Sequence, residues 1–135
     1  MNKEILIYEG EGKRIEVQLD SAHETLWLSQ KQISDLLDTS TDNISLHLKN
    51  IFQDKELDEN ATTEDYSVVR QEGNRQVKRK LKHYNLDAII SVAYRVSSKK
   101  GTQFRQWATA RLKEHLVQGY TLNEQRLTQH QEQLK

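Results

Sequence analysis

The sequence predicts an α+β protein, because short alternating strands and amphipathic helices follow one another along its 135 residues. Residues 26–52 contain two helical apolar stripes separated by three turn-forming residues. Residues 66–84 contain two predicted strands, the second of which carries three lysines, and residues 85–119 carry long apolar stripes at helical spacing. Together these observations predict a winged helix-turn-helix-like core with an N-terminal β-hairpin, a second β-hairpin as the wing, and C-terminal helices.

An N-terminal hairpin is predicted from two short strands at residues 5–8 and 15–19. In the second strand Ile15, Val17 and Leu19 alternate with polar residues, which is typical of a half-buried strand. Residues 9–12 supply two glycines for the turn, where positive φ angles are needed. Residues 26–28 are expected to add a third strand that leads into the first helix. We interpret this hairpin as a structural brace.

The central helical pair begins with a capping box formed by Ser29 and Gln32. Two helices this short, joined by residues 38–40, favour a helix-turn-helix that places the second helix in a DNA major groove. Small hydrogen-bonding groups and an exposed leucine suit base edges and thymine methyls. The alternative is a packed helical pair with a polar outer face. The residues predicted to contact DNA here are Ser40, Thr41, Asp42, Asn43, Ser45, Leu46 and Lys49.

A second hairpin is predicted at residues 66–70 and 76–84, after an acidic connector at residues 53–65 that is expected to be a solvated loop. Successive side chains of a strand point to opposite faces, so Lys78, Lys80 and Lys82 share one face. In the wing position these lysines are expected to contact DNA phosphates and to contribute affinity without sequence information. The alternative is an edge strand that uses lysine to prevent aggregation.

The C-terminal third is predicted to be helical. Asn85 caps one helix, residues 97–101 are expected to end it, and a longer helix is expected from Thr102 to Gly119. Lys99 and Lys100, at the corner between these helices, are candidates for a second phosphate contact. We therefore divide the chain into a DNA-binding domain with a helical extension, residues 1–119, and the start of a helical linker or coiled-coil segment, residues 120–135.

The last segment also suggests self-association. Tyr120, Leu127 and Leu134 recur every seventh residue, although the intervening core positions, Asn123 and His130, are polar. Because dimeric helix-turn-helix proteins read paired half-sites, we expect a weak homodimer that forms through this C-terminal helix.

Composition excludes several classes of protein. No apolar run approaches the roughly 20 residues of a membrane-spanning helix, and the N-terminus lacks the pattern of a signal peptide, so a cytoplasmic protein is expected. With no cysteine, neither disulfides nor thiolate metal sites form. The five histidines lack ligand spacing, and no nucleophile elbow or phosphate-binding glycine loop is present. No enzymatic activity, cofactor or metal is therefore expected.

The net charge of zero conceals a strong asymmetry. Residues 1–69 carry a net charge of −9, residues 70–113 carry +10 and residues 114–135 carry −1. Such asymmetry points to a polyanionic partner, although the acidic and basic segments could also face each other within the fold. The sequence therefore predicts a sequence-specific protein that binds double-stranded DNA, resembling a transcriptional regulator. The alternative is a protein–protein interaction adaptor without direct DNA contact.

Two segments resemble the RhuM family of bacterial virulence-associated proteins. The first comprises residues 27–37 with residues 44–52, and the second comprises residues 82–96 with residues 101–109. The resemblance covers most of residues 5–127. It implies a bacterial or mobile-element protein that binds DNA through its N-terminal domain, and a longer parent chain. Leu46 departs from the family pattern, which often has arginine there, and this weakens a base-reading role for that position.

Overall fold

The computed structural model describes the backbone of residues 3–133 and the side chains of residues 4–117. Within this range the protein is α+β, with a five-stranded antiparallel sheet and five helices. No helix in the described range is both long and apolar enough to span a membrane. In chain order the elements are β1 Lys3–Gly10, β2 Lys13–Asp20, β3 Thr25–Ser29, α1 Gln30–Leu37, α2 Thr41–Gln53, α3 Glu59–Thr62, β4 Thr63–Glu72, β5 Arg75–Asn85, α4 Leu86–Val96 and α5 Ser98–Gln133.

The strand order in the sheet is β1-β2-β3-β5-β4, so both predicted hairpins belong to a single sheet. The first hairpin turns at Glu11 and Gly12, which both adopt positive φ, as a tight hairpin turn requires. The third predicted strand, β3, joins the hairpins, because it pairs with β2 on one side and β5 on the other. The contact between β3 and β5 is short, and Ser29 pairs with His83 at its end.

The core lies on one face of this sheet. Alternate residues of the central strands point to it, including Val17, Leu26 and Leu28, and all three are almost fully buried. Helices contribute Ile33, Ile44, Ile89 and Phe104 to the same apolar cluster. Burial of this apolar surface is the main term that stabilises the two layers.

Local side-chain hydrogen bonds set the bounds of α1 and α2. The Oγ of Ser29 accepts the N–H of Gln32, and the Gln32 side chain accepts the N–H of Ser29, which confirms the predicted capping box. Asp38 ends α1 in the left-handed conformation. Ser40 then caps α2 by accepting the N–H of Asn43. The predicted pair of helices with a three-residue turn is therefore confirmed.

The predicted boundary between the last two helices was wrong. Helix α5 begins at Ser98 rather than Thr102 because Ser97 makes a backbone hydrogen bond to each of the two helices. Its N–H donates to Ala93, and its carbonyl accepts the N–H of Gly101 at 2.9 Å. Gly101 lies inside the first turn of α5, where a Cβ would approach the backbone nitrogen of Tyr94 to 3.3 Å. This glycine allows α5 to pass close to α4.

The predicted helix end at Gly119 was also wrong, because α5 continues to Gln133. An isolated glycine costs a helix about 1 kcal/mol, and no proline follows that would end the helix. Leu116, just before Gly119 on this helix, has 48% of its surface exposed. The predicted boundary between the domain of residues 1–119 and the segment of residues 120–135 stays a prediction. It falls within one continuous helix. The side chains of Tyr120, Leu127 and Leu134 lie outside the described residues.

The acidic connector is only partly a loop. Residues 59–62 form α3, which Asp58 caps by accepting the N–H of Ala61, and β4 begins at Thr63. Two acids of this segment form ion pairs with the basic half of the chain, Glu56 with Arg95 and Glu59 with Lys82. The acidic and basic segments therefore face each other in part.

Candidate nucleic-acid interface

Helix α2 has a continuous solvent-exposed face. Thr41, Asp42, Ser45, Leu46 and Lys49 are all exposed, and Leu46 has 55% of its surface accessible. Their spacing of three and four residues places them along one side of the helix. The opposite side contributes Ile44, Leu48 and Ile51 to the core. Five of the seven residues predicted for DNA contact on this helix and its cap therefore form one accessible surface.

The other two predicted residues are engaged in the turn. The Oγ of Ser40 accepts the N–H of Asn43, and the side-chain amide of Asn43 donates to Oγ1 of Thr39 at 3.0 Å. Asn43 is half-buried as a result. These contacts fix the entry into α2 and orient its first turn.

The second hairpin extends well beyond the rest of the sheet. Strand β3 pairs with β5 only as far as His83, whereas β4 and β5 stay paired out to Glu72 and Arg75. Residues 65–82 therefore form a two-stranded projection, which we call the ribbon. Every residue from 69 to 76 is exposed. The ribbon contains six basic and two acidic residues, a net charge of +4.

The lysines of the ribbon face the helical side of the sheet. Lys78, Lys80 and Lys82 alternate with residues of the opposite face, and the next residue in the same alternation is Tyr84. Tyr84 is 7% exposed and belongs to the core beneath the helices. The lysine face of the ribbon therefore continues the face of the sheet on which the helices pack.

A groove of about 290 Å³ connects Tyr84 to helix α2. Ser45 and Lys49 from the exposed face of α2 line it, and Gln30 lines it from the start of α1. The side-chain amide of Gln30 donates to the carbonyl oxygen of Thr41 at 2.8 Å. The groove therefore runs from the exposed face of α2 to Tyr84, which follows Lys82 on the same face of β5, and the three lysines are not among the described residues that line it.

One ribbon lysine is held by an ion pair. The ammonium of Lys82 lies 3.2 Å from a carboxylate oxygen of Glu59, which also lines the groove. The hydrogen bond to Glu59 raises the pKa of Lys82 above its ordinary value. Arg79, on the other face of the ribbon, pairs with Glu72 at 2.9 Å.

The predicted second phosphate contact lies in a different environment. The ammonium of Lys100 is 3.5 Å from the carbonyl oxygen of Leu37, at the end of α1, and 3.9 Å from Glu11. Its side chain is 25% exposed, whereas Lys99 is exposed. Lys100 thus helps to hold the β1–β2 turn against α1, and Lys99 is the more accessible of the two.

Three residues of this surface were not predicted from the sequence. Gln30 was identified as part of this surface only from its hydrogen bond to α2. Arg70 and Arg75, near the ribbon tip, are exposed and add positive charge. The count of basic residues after residue 69 could have drawn attention to both arginines.

Among the described residues, no group of three or more histidines and carboxylates is placed to hold a metal ion.

A family model described as the virulence protein RhuM family matches residues 61–135 of the chain. The matched region begins in α3 and includes the ribbon, α4 and α5. Neither a curated protein nor a solved structure matches the chain.

Proposed function

The chain belongs to the virulence protein RhuM family, and we propose that it binds double-stranded DNA sequence-specifically, as a transcriptional regulator does. In this proposal α1 and α2 act as a helix-turn-helix and the ribbon acts as the wing. The observation that carries the proposal is the common groove, which Ser45 and Lys49 of α2 share with Tyr84, at the base of the lysine face. A single duplex can contact both surfaces from that side.

The two surfaces have different chemical roles. Thr41 and Ser45 present hydroxyl groups, and Leu46 presents methyl groups, so the exposed face of α2 suits base edges in a major groove. Lys78 and Lys80 project from the ribbon as exposed charges, which suits phosphate oxygens. Affinity then comes mainly from the ribbon and sequence preference mainly from α2.

The form of the nucleic acid follows from the size of a helix. The major groove of B-form DNA admits an α-helix, whereas the major groove of A-form RNA is too narrow for protein side chains to read. Helix α2 has 13 residues, and its exposed side chains run along most of its length. Double-stranded DNA is therefore the proposed partner rather than double-stranded RNA.

We also propose that the protein forms a weak homodimer through the C-terminal part of α5. This helix spans 36 residues, and by Leu116 and Val117 its apolar side chains are largely exposed. The predicted heptad positions Tyr120 and Leu127 fall within the same helix. A dimer would present two copies of α2 to paired half-sites.

The test is a comparison of salt-dependent DNA binding in the wild type and in the triple variant Lys78→Ala/Lys80→Ala/Lys82→Ala. A preferred duplex is first selected from a random pool, and affinities are measured by fluorescence anisotropy over a range of salt concentrations. The triple variant should bind every duplex more weakly, and its salt slope should flatten by about 0.9 for each phosphate that the protein no longer neutralises. The matched control is Lys31→Ala/Lys55→Ala/Lys113→Ala, which removes three exposed lysines outside the ribbon.

Equal binding by the triple variant and the wild type would show that the hairpin is not a wing. If the random pool also yields no enriched sequence, sequence-specific DNA binding is wrong. A role as a protein–protein interaction adaptor then becomes the better explanation of the acidic residues 1–69 and the basic residues 70–113.

A further inference from the structure

The side chain of Gln30, the first residue of α1, reaches across to the start of α2. Its Nε2 donates a hydrogen bond to the carbonyl oxygen of Thr41 at 2.8 Å. Thr41 is the first residue of α2, so this bond joins the N-terminal ends of the two helices. Only the NH₂ group of the amide can donate to a carbonyl, so the bond also fixes which way the amide faces.

The bond to Thr41 uses only part of the Gln30 amide. A glutamine side chain has two N–H donors and one carbonyl oxygen that accepts. Among the described residues, Gln30 makes no other side-chain hydrogen bond. One N–H and Oε1 are therefore left for a ligand. The side chain is half-buried and lines the groove beside α2, together with Ser45 and Lys49.

Two other amide side chains near the helical turn already have partners within the protein. Nδ2 of Asn43 donates to Oγ1 of Thr39, inside the turn. Oε1 of Gln32 completes the capping box, and its Nε2 donates to the carbonyl oxygen of Glu16. Neither Asn43 nor Gln32 is among the described residues that line the groove. The sequence predicted Asn43 as a DNA contact, whereas the structure places the amide of Gln30 in the groove.

A second glutamine, Gln53, also lines the groove. It is the last residue of α2 and it is exposed, and no hydrogen bond among the described residues holds its side chain. Ordering such a side chain on binding costs conformational entropy, which lowers affinity. Gln30 avoids most of this cost because its amide is already held at Thr41. Gln30 is therefore the pre-organised amide of the groove.

We propose that Gln30 reads an adenine in the major groove, beside the bases that α2 contacts. Adenine presents the acceptor N7 next to the N6 amino donor, and a glutamine matches both with one N–H and its carbonyl oxygen. These are the two groups that the bond to Thr41 leaves on Gln30. A phosphate oxygen only accepts, so it would leave Oε1 without a partner. This inference rests on the proposed function and names one base within the same site.

The experiment first compares the sequences that wild-type protein and Gln30→Ala enrich from a random duplex pool. At one position where the wild type requires adenine, Gln30→Ala should accept any base. Its affinity for the preferred duplex should fall about 5- to 150-fold, as expected for one bidentate pair, with an unchanged salt slope. The matched control is Gln106→Ala, which removes an exposed glutamine of α5 and should enrich the wild-type sequence.

A modified base then tests the contact at the level of one atom. Replacing the assigned adenine with 7-deazaadenine removes the N7 acceptor and leaves the base pair intact. The wild type should bind this duplex about tenfold more weakly than the unmodified one. Gln30→Ala should bind both duplexes equally, because it has no contact with N7 to lose. Circular dichroism checks that Gln30→Ala is folded.

Three results would overturn the inference while the proposed function stands. The first is that Gln30→Ala requires adenine at the same positions as the wild type. The second is an equal loss on 7-deazaadenine in both proteins, which would assign N7 to another residue. The third is equally weaker binding of Gln30→Ala to selected and unrelated duplexes, which would mean that Gln30 only positions α2. If the wild type itself enriches no sequence, the proposed function fails and this inference fails with it.

Discussion

The ammonium nitrogen of Lys82 lies 3.2 Å from Oε2 of Glu59, and this ion pair ties the base of the ribbon to α3. Both side chains are about half exposed, so the pair contributes little to stability. The ion pair matters instead for the proposed binding of DNA. Glu59 lines the groove beside α2, and in the proposed complex with DNA it would compete with phosphate for the Lys82 ammonium.

Replacing Glu59 with glutamine should therefore strengthen DNA binding. Lys82 becomes free to contact a phosphate, and a carboxylate that repels the duplex is removed from the groove. We expect tighter binding to all duplexes and a salt slope that is steeper by about one unit. The control, Asp54→Asn, removes an exposed acid that precedes α3. Unchanged or weaker binding by Glu59→Gln would place the DNA away from this groove.

Replacing Thr41 or Ser45 with alanine should affect sequence preference and leave the salt slope unchanged. Their hydroxyl groups lie on the exposed face of α2, and neither residue carries charge. The expected loss is about 1–3 kcal/mol on the preferred duplex and none on an unrelated duplex. Competition binding with both duplexes measures the difference. A uniform loss on both would assign these residues to the DNA backbone.

The contribution of Asp20 to stability should depend on pH. Its folded pKa lies below the ordinary 3.8, so its stabilising effect is present above that value and disappears as pH falls through the folded pKa. Asp20→Asn should therefore destabilise the protein at pH 7 and cost less below pH 3.8. Urea unfolding at both pH values provides the comparison. The same cost at both would mean that Asp20 acts only through packing.

Phe104→Ala should destabilise the protein by about 3–5 kcal/mol, as is usual for a large aromatic residue in a packed core. The Phe104 ring is fully buried and lies 5.2 Å, between ring centroids, from Tyr8 of β1. Leu116→Ala, on the same helix, should stay within about 0.5 kcal/mol of the wild type because Leu116 is exposed. Chemical denaturation measures both. Similar losses of stability in both variants would show that α5 turns a different face to the core than the one described.

Deletion of residues 120–135 should lower self-association without unfolding the sheet. The proposed dimer uses the end of α5, whereas the core contacts of this helix, at Phe104 and Ala108, lie far earlier in the chain. Sedimentation velocity over a concentration series measures the change in mass. An unchanged mass distribution would mean that any dimer forms through another surface.

The sequence by itself determined the local elements and the two faces of each strand. Ser29 and Gln32 marked the start of α1, because a capping box needs only residues three apart. The alternation in β5 placed Lys78 and Lys80 on one face before any partner strand was known. At Ser97 and Gly101 the same local reasoning failed. The serine serves two helices, and the glycine is required by the contact with α4.

Only the tertiary structure decided how these elements combine. The pairing of Ser29 with His83 joins both hairpins in one sheet, and it brings together residues 54 positions apart in the chain. This pairing of strands depends on which arrangement buries the most apolar surface. That is a property of the whole chain, which no short sequence pattern contains. The groove between α2 and β5 and the Glu59–Lys82 ion pair both follow from it. Periodicity describes one element at a time, whereas a binding site forms where several elements meet.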